Sequence, residues 1–355
     1  MIESLKKLEW LVKGAFVKYA LGLILSKEKR VCTRIADLFG ISHDSIYRYL
    51  NNRADLSAQF PELMIKLACH FHAIKEGWMV IDDTVLSKIH AKYIEGVHLV
   101  YNSSLRRPEK GLCIVVIAWT DGDIIIPLGF DWWLSEEICP ENHETKIKIA
   151  QRLITNLIKV APFRKMLADA AYISVDMIKF LEKLGIDFVT RIHSNRKVTT
   201  KDGTCEQMKN HPALKLNRNL RAKITRVMLQ DVEVNIVTFK RKKKYSEEYE
   251  AVFLVTKINA NAYEIVKMYD IRWEIEPMFR AMKQSLGLMQ CTARSLDKQA
   301  NHINAVFFAF GFVQHEKFIK NLPCFEDAIR HFQDLKITQT TASFNRFCRD
   351  FYHDA

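Results

Sequence analysis

Tyr269, Arg272, Glu276 and Lys283 are spaced so that, at 100° per residue in a helix, they fall within an arc of about 60°. Ile271, Ile275, Met278 and Met282 gather on roughly the opposite side and give the polar stripe an apolar back. One carboxylate flanked by a phenol and two fixed cations suits a metal ion beside a polyanion. The same spacing also describes a solvated helix face laced with i,i+4 pairs, the commoner origin of such a stripe. The remainder of the chain decides between the two.

Two further acids stand where an α/β sheet carries its chemistry. Asp83 follows the apolar run Trp78–Ile81, and Asp169 follows Lys165–Ala168, so each is predicted at a strand end. Alone, either is more often a turn or capping residue. Their occurrence together with Glu276 carries the weight. Three carboxylates brought together repel unless divalent cations neutralise them, and a pair of Mg2+ ions so held suits phosphodiester chemistry. Asp82 precedes Asp83, and successive strand residues point to opposite faces, so the two cannot serve one site. The strand period does not choose between them.

The elements that must position these residues alternate. Leu112–Trp119 and Asp123–Leu128 read as a hairpin closed by Thr-Asp-Gly. A helix over His143–Val160, a strand over Lys165–Ala168, a helix over Val175–Leu184 and a strand over Asp187–Ile192 follow. The order predicts an α/β fold with a mixed sheet of the RNase H-like kind, residues 76–192 being the first part of a catalytic core. Residues 193–250 carry 14 Lys or Arg against 7 Asp or Glu and read as a basic β-rich insertion, with Ile224–Phe239 alternating and Lys240–Lys244 a basic run. Residues 251–295 resume the core with the helix described above, and 296–355 read as a C-terminal helical region. Pro277, directly after Glu276, predicts a kink there or a new helix with the proline near its first position.

Residues 1–75 read as all-α. Within them Thr33–Phe39, a turn at Gly40 and a second helix capped by Ser42 resemble a helix-turn-helix whose Tyr47 and Arg48 would meet a DNA groove. Among 355 residues, a net charge of +12 favours a polyanionic partner, while 48% apolar and 26% charged residues are ordinary for a globular protein. Eight cysteines without a CxxC pair predict reduced thiols and no zinc ribbon. No signal layout or bilayer-length apolar run is present, which predicts a cytoplasmic protein with no membrane partner.

The run Y-x2-R-x3-E-x6-K, matched at Tyr269, Arg272, Glu276 and Lys283, resembles the signature of DDE transposases of bacterial insertion sequences in the cut-and-paste YREK group. Trp273 after the arginine adds to the likeness, and the acid-Asp-Thr segment selects Asp83 over Asp82. The resemblance implies that Asp83, Asp169 and Glu276 ligate two Mg2+ ions, with Mn2+ as a substitute. It implies that Tyr269, Arg272 and Lys283 grip phosphates near the cleaved end of double-stranded DNA, and that Trp273 either stacks on a displaced base or belongs to the core. It further implies a hairpin intermediate, joining of inverted-repeat ends to target DNA, and a homodimer at synapsis. A catalytically inactive DNA-binding regulator and a structure-specific nuclease on the same fold are the competing expectations.

Overall fold

The computed structural model describes residues 15–51, 56–71, 77–103, 105–161, 163–217, 219–242, 246–335, 338–343 and 346. Lys243 and Lys244 of the basic run lie outside them. Its centre is a sheet whose strands are β1 (Trp78–Ser87), β2 (His98–Asn102), β3 (Arg107–Thr120), β4 (Ile125–Trp133), β5 (Lys165–Ala168) and β6 (Asp187–Arg191). β3 pairs antiparallel with both β1 and β4, while β5 runs parallel to β1 and to β6. The order β4-β3-β1-β5-β6 is thus antiparallel on one side of β1 and parallel on the other. β3 is buried without interruption from Gly111 to Thr120, the mark of a strand covered on both faces. Its hairpin to β4 turns at Gly122, φ 104°, and Asp121 accepts from the Asp123 and Ile124 amides.

Helices cover both faces. Along β4, Phe130 packs on Phe307 of a long helix, while Asp131 and Trp133 meet Arg152 and Lys146 of α5 (Lys146–Leu157). The alternation of those three residues puts α5 and the long helix on opposite sides. α5 is capped by Thr145, and Ser174 likewise caps α6 (Val175–Lys183).

The strands between residues 197 and 256 do not stand apart from this sheet. They are β7 (Lys197–Thr199), β8 (Cys205–Gln207), β9 (Ala222–Leu229), β10 (Val232–Lys242) and β11 (Tyr249–Thr256), and the path continues β6-β11-β10-β9-β7-β8 into one 11-stranded sheet. The alternating run Ile224–Phe239 is two strands, turned at Gln230 in the left-handed region (φ 56°).

Before the sheet come α1 (Ala15–Leu25), α2 (Cys32–Phe39), α3 (His43–Asn51) and α4 (Leu56–Phe71). Gly40 ends α2 in the αL conformation, and Ser42 accepts from the Asp44 amide at the start of α3, as the turn chemistry predicts. After the sheet come α7 (Ala262–Asp270), α8 (Ile275–Ser285), α9 (Leu296–Ile319) and α10 (Phe325–Asp334). α9 is the long helix already met, buried over most of its length, and the N-terminal helices close around it. Tyr49 Oη donates to the Asn301 carbonyl at 2.7 Å, and Asn301 Nδ2 donates to that of Leu50 at 3.1 Å. One continuous apolar core runs from Phe16 of α1 through the sheet to Phe332 of α10.

Candidate active site

β1 extends past the expected end at Ile81, so Asp82 and Asp83 lie in mid-strand. Val85 and Leu86 carry it onward against Cys113 and Leu112 of β3. β5, by contrast, stops at Ala168, which is in register with Ile81. Asp82 and Asp169 are therefore each one step beyond a matched pair on adjacent parallel strands. In-register residues of neighbouring strands share a face, about 4.8 Å apart across the ladder. Asp169 keeps extended geometry (φ −81°, ψ 172°) before the 3₁₀ turn Ala170–Tyr172. Asp83 projects from the other face.

The helical stripe meets Asp82. Arg272 Nη1 donates to Asp82 Oδ2 at 3.1 Å, and Nη2 donates to Glu276 Oε1 at 3.2 Å. The guanidinium also lies 5.7 Å from the centre of the Tyr269 ring. Arg272 and Tyr269 are buried. Burial pushes the Asp82 carboxyl up to about 7; Arg272 opposes the rise, and Asp83 and Asp169 add to it. Arg272 is held above its ordinary value although burial works the other way, because Tyr269 and the carboxylates of Asp82, Asp169 and Glu276 surround it. Burial likewise raises the Tyr269 phenol to about 12.

The segment bearing these residues is not one helix. A 3₁₀ stretch, Ile271–Glu274, separates α7 from α8. Pro277 is the third residue of α8, within the first turn, where its missing N–H costs nothing. The break therefore falls just before Glu276, and α8 is a new helix with the proline near its first position, one of the two outcomes that Pro277 predicts. Ile275, Met278 and Met282 are buried as the apolar back requires.

Lys283 departs from its three companions. Its charge is felt by Glu109, Cys113 and Asp83, and burial foremost lowers its pKa. Asp83 accepts from Lys146 Nζ at 2.7 Å, from Tyr172 Oη at 2.9 Å and, weakly, from the Cys113 thiol at 3.7 Å. Lys146 also lies over the Trp133 ring at 5.1 Å. Trp273 is 48% exposed, with the Arg241 guanidinium 5.9 Å from its ring, so it is not core. Tyr47 and Arg48 are exposed on α3, and the Tyr47 hydroxyl accepts from Lys298 of α9 at 3.0 Å.

Lys146 and Tyr172, which satisfy Asp83, carry no spacing signal; only the sheet pairing brings them to it. Asp82, the neighbour of Asp83, is the one that the β1–β5 register sets beside Asp169. Among the described residues no three His, Cys, Asp or Glu side chains converge closely enough to hold a metal as they stand. Arg272 fills the space between Asp82 and Glu276. The donor set nevertheless fits a hard divalent cation, since it is all carboxylate and Asp82 has little water to compensate its charge.

Comparison with known families agrees with this geometry. The family described as DDE superfamily endonuclease matches residues 12–215, more than half of the chain. The one described as transposase DDE domain matches residues 139–311, which include Asp169 and the whole stripe from Tyr269 to Lys283. A comparison with curated proteins gives no match. With a mixed α/β sheet, helices at both ends and acids gathered from β1, the end of β5 and α8, the chain belongs to the DDE transposase and endonuclease superfamily.

Proposed function

We propose that the chain is a DNA transposase of the YREK group, and that Asp82, in place of Asp83, joins Asp169 and Glu276 in holding two Mg2+ ions. The observation that carries the assignment is the Arg272 bridge from Asp82 to Glu276, together with the register that gives Asp82 and Asp169 one face. Bound there, the ions would activate a water or a 3′-hydroxyl and stabilise the leaving oxygen of an in-line displacement.

The chain's own residues supply positioning. Arg272, with a planar fork and no protonation to lose, is suited to take a phosphate once it leaves the carboxylates. Tyr269, kept as a neutral phenol, offers a hydrogen-bond donor beside it. Trp273 presents an exposed ring suited to stacking on a displaced base. Lys283, on the Asp83 side, serves as a point charge farther along the strand. Hairpin formation, joining of inverted-repeat ends to target DNA and pairing of two protomers at synapsis follow from the signature's likeness.

Cleavage assays on duplexes carrying the element's ends test the assignment. Asp82→Asn and Glu276→Gln abolish Mg2+-dependent cutting and leave end binding largely intact, while Asp83→Asn cuts. Retained cutting by Asp82→Asn removes that residue from the site. The match to a family of DDE superfamily endonucleases favours a second reading in which the chain cuts and does not join. Precleaved ends that fail to transfer to target DNA would establish it.

A further inference from the structure

Away from the acids, two adjoining hollows of about 480 and 610 Å³ form one groove, sharing Val31, Gln290, Cys291, Thr292 and Arg294 as a common wall. The groove lies between the loop after α1, the loop after β1 and the segment joining α8 to α9, and Tyr47 of α3 closes one end. Six cations line it, Lys29, Arg30, Lys88, Lys92, Arg294 and Lys298, and among the described residues no carboxylate does. Glu95, on the same loop as Lys92, is taken up by the Leu296 amide at 3.0 Å.

These cations divide into two kinds. Lys88 and Arg30 are buried and build the floor. Lys88 Nζ donates to the Met289 and Cys291 carbonyls at 2.9 and 2.6 Å. Arg30 donates from Nε to Leu23 at 2.8 Å, and its amide donates to Gln290 Oε1 at 2.9 Å. Lys29, Lys92 and Arg294 are exposed, and Lys298 is half-buried. Two of these four are set against rings: Arg294 lies 5.5 Å from the centre of Tyr93, and Lys298 lies 4.9 Å from that of Tyr47. Tyr93 is 73% exposed, so its ring is offered to the groove as well as to the arginine.

We infer that this groove is a second DNA contact, which takes the phosphate backbone of duplex DNA flanking the cleaved position. The inference rests on the transposase reading and names a surface that reading does not use. A row of cations spread over two hollows, free of lining acids and interleaved with tyrosines, matches the repeating charge of a nucleic-acid strand better than a single small anion. Its place in the chain agrees. Ser87, the last residue of β1 and part of the groove, lies five residues beyond Asp82, about 16 Å along an extended strand and so roughly five nucleotide steps from the acids, and Lys88 follows it. The groove also joins Tyr47 on α3 to the loop that leaves α8, linking the helix-turn-helix to the catalytic elements.

The test is fluorescence anisotropy of the full chain with a labelled mixed-sequence duplex of about 40 base pairs, followed through a salt titration. The triple variant Lys29→Gln, Lys92→Gln, Arg294→Gln binds about 10–100-fold more weakly at fixed salt, and its slope of log K against log salt falls by about 2.7. A control, Lys148→Gln, Lys159→Gln, Lys183→Gln, removes three exposed lysines elsewhere and binds nearly as the parent does. Unchanged melting temperatures show that each variant is folded. Equal losses in groove and control variants, or undiminished binding in the groove variant, overturn the groove alone. No duplex binding by the parent chain overturns the groove and the transposase reading together.

Discussion

Arg272 Nη1 stands 3.1 Å from Asp82 Oδ2 and occupies the position between strand and helix that the proposed metal ion would need. Its other nitrogen holds Glu276, so one guanidinium neutralises two carboxylates that would otherwise repel. Cation and metal compete for that position. Arg272→Gln therefore binds Mn2+ about tenfold more tightly by titration calorimetry, since a unit charge a few ångströms away is worth at least that much. The same variant cleaves DNA ends poorly, because the phosphate loses its fork. Unchanged Mn2+ affinity would show that Arg272 does not stand in the metal's way.

Asp82 makes the metal-free protein sensitive to pH. Its carboxyl, raised to about 7, binds a proton more tightly folded than unfolded. The resulting stabilisation is fully present below the ordinary aspartate pKa near 4 and is lost as pH rises through 7. Asp82→Asn, fixed in the neutral form, thus gains on the parent protein as pH rises from 5 to 8 by about 1 kcal/mol, allowing for the partial exposure of the side chain. Urea melts at the two pH values without metal measure the difference. A variant that loses ground at pH 8 would mean that the Arg272 pair outweighs desolvation.

What could be read before the fold was known follows the range of the interaction. The Tyr-Arg-Glu-Lys spacing, the strand Lys165–Ala168 and the cap at Ser42 rest on residues a few positions apart, where period and turn chemistry act. Asp82-Asp83 looks polar enough to stop a strand, yet β1 runs on because Val85 and Leu86 pair with β3. The placement of Asp82 beside Asp169 depends on the register with β5, set by residues more than eighty positions away. Pro277 marks the start of a new helix, whereas the 3₁₀ form of Ile271–Glu274 before it leaves no mark in composition. Lys283 shares its helix stripe with Glu276, yet the charges that act on it are those of Glu109, Cys113 and Asp83, which helix spacing alone does not reveal.

His302 joins the N-terminal helices to the C-terminal half. Nδ1 accepts from the Tyr19 hydroxyl at 2.8 Å, and Nε2 donates to the Gly287 carbonyl at 3.0 Å, so the neutral ring satisfies both partners. Full burial depresses its pKa to about 4. The folded state refuses a proton that the unfolded chain accepts, so this stability is present above pH 6.5 and is lost as pH falls towards 4. Denaturant melts should show a loss of about 2–3 kcal/mol across that window, and His302→Gln should flatten it. An equally steep fall in the variant would place the acid sensitivity elsewhere.

Asp83 has a structural account that needs no metal. Its carboxylate is engaged by Lys146 and Tyr172 on the face of β1 turned from Asp82. Lys146→Met removes the cation hydrogen-bonded to that carboxylate and costs about 2–3 kcal/mol, whereas the double variant Lys146→Met, Asp83→Asn recovers much of the loss. The cycle gives a coupling of at least about 1 kcal/mol for a partly buried pair of good geometry. Mg2+-dependent cleavage by Asp83→Asn persists through these changes when measured well below the melting temperature. Additive stabilities together with abolished cleavage would reverse the assignment, making Asp83 the ligand and Asp82 the structural partner of Arg272.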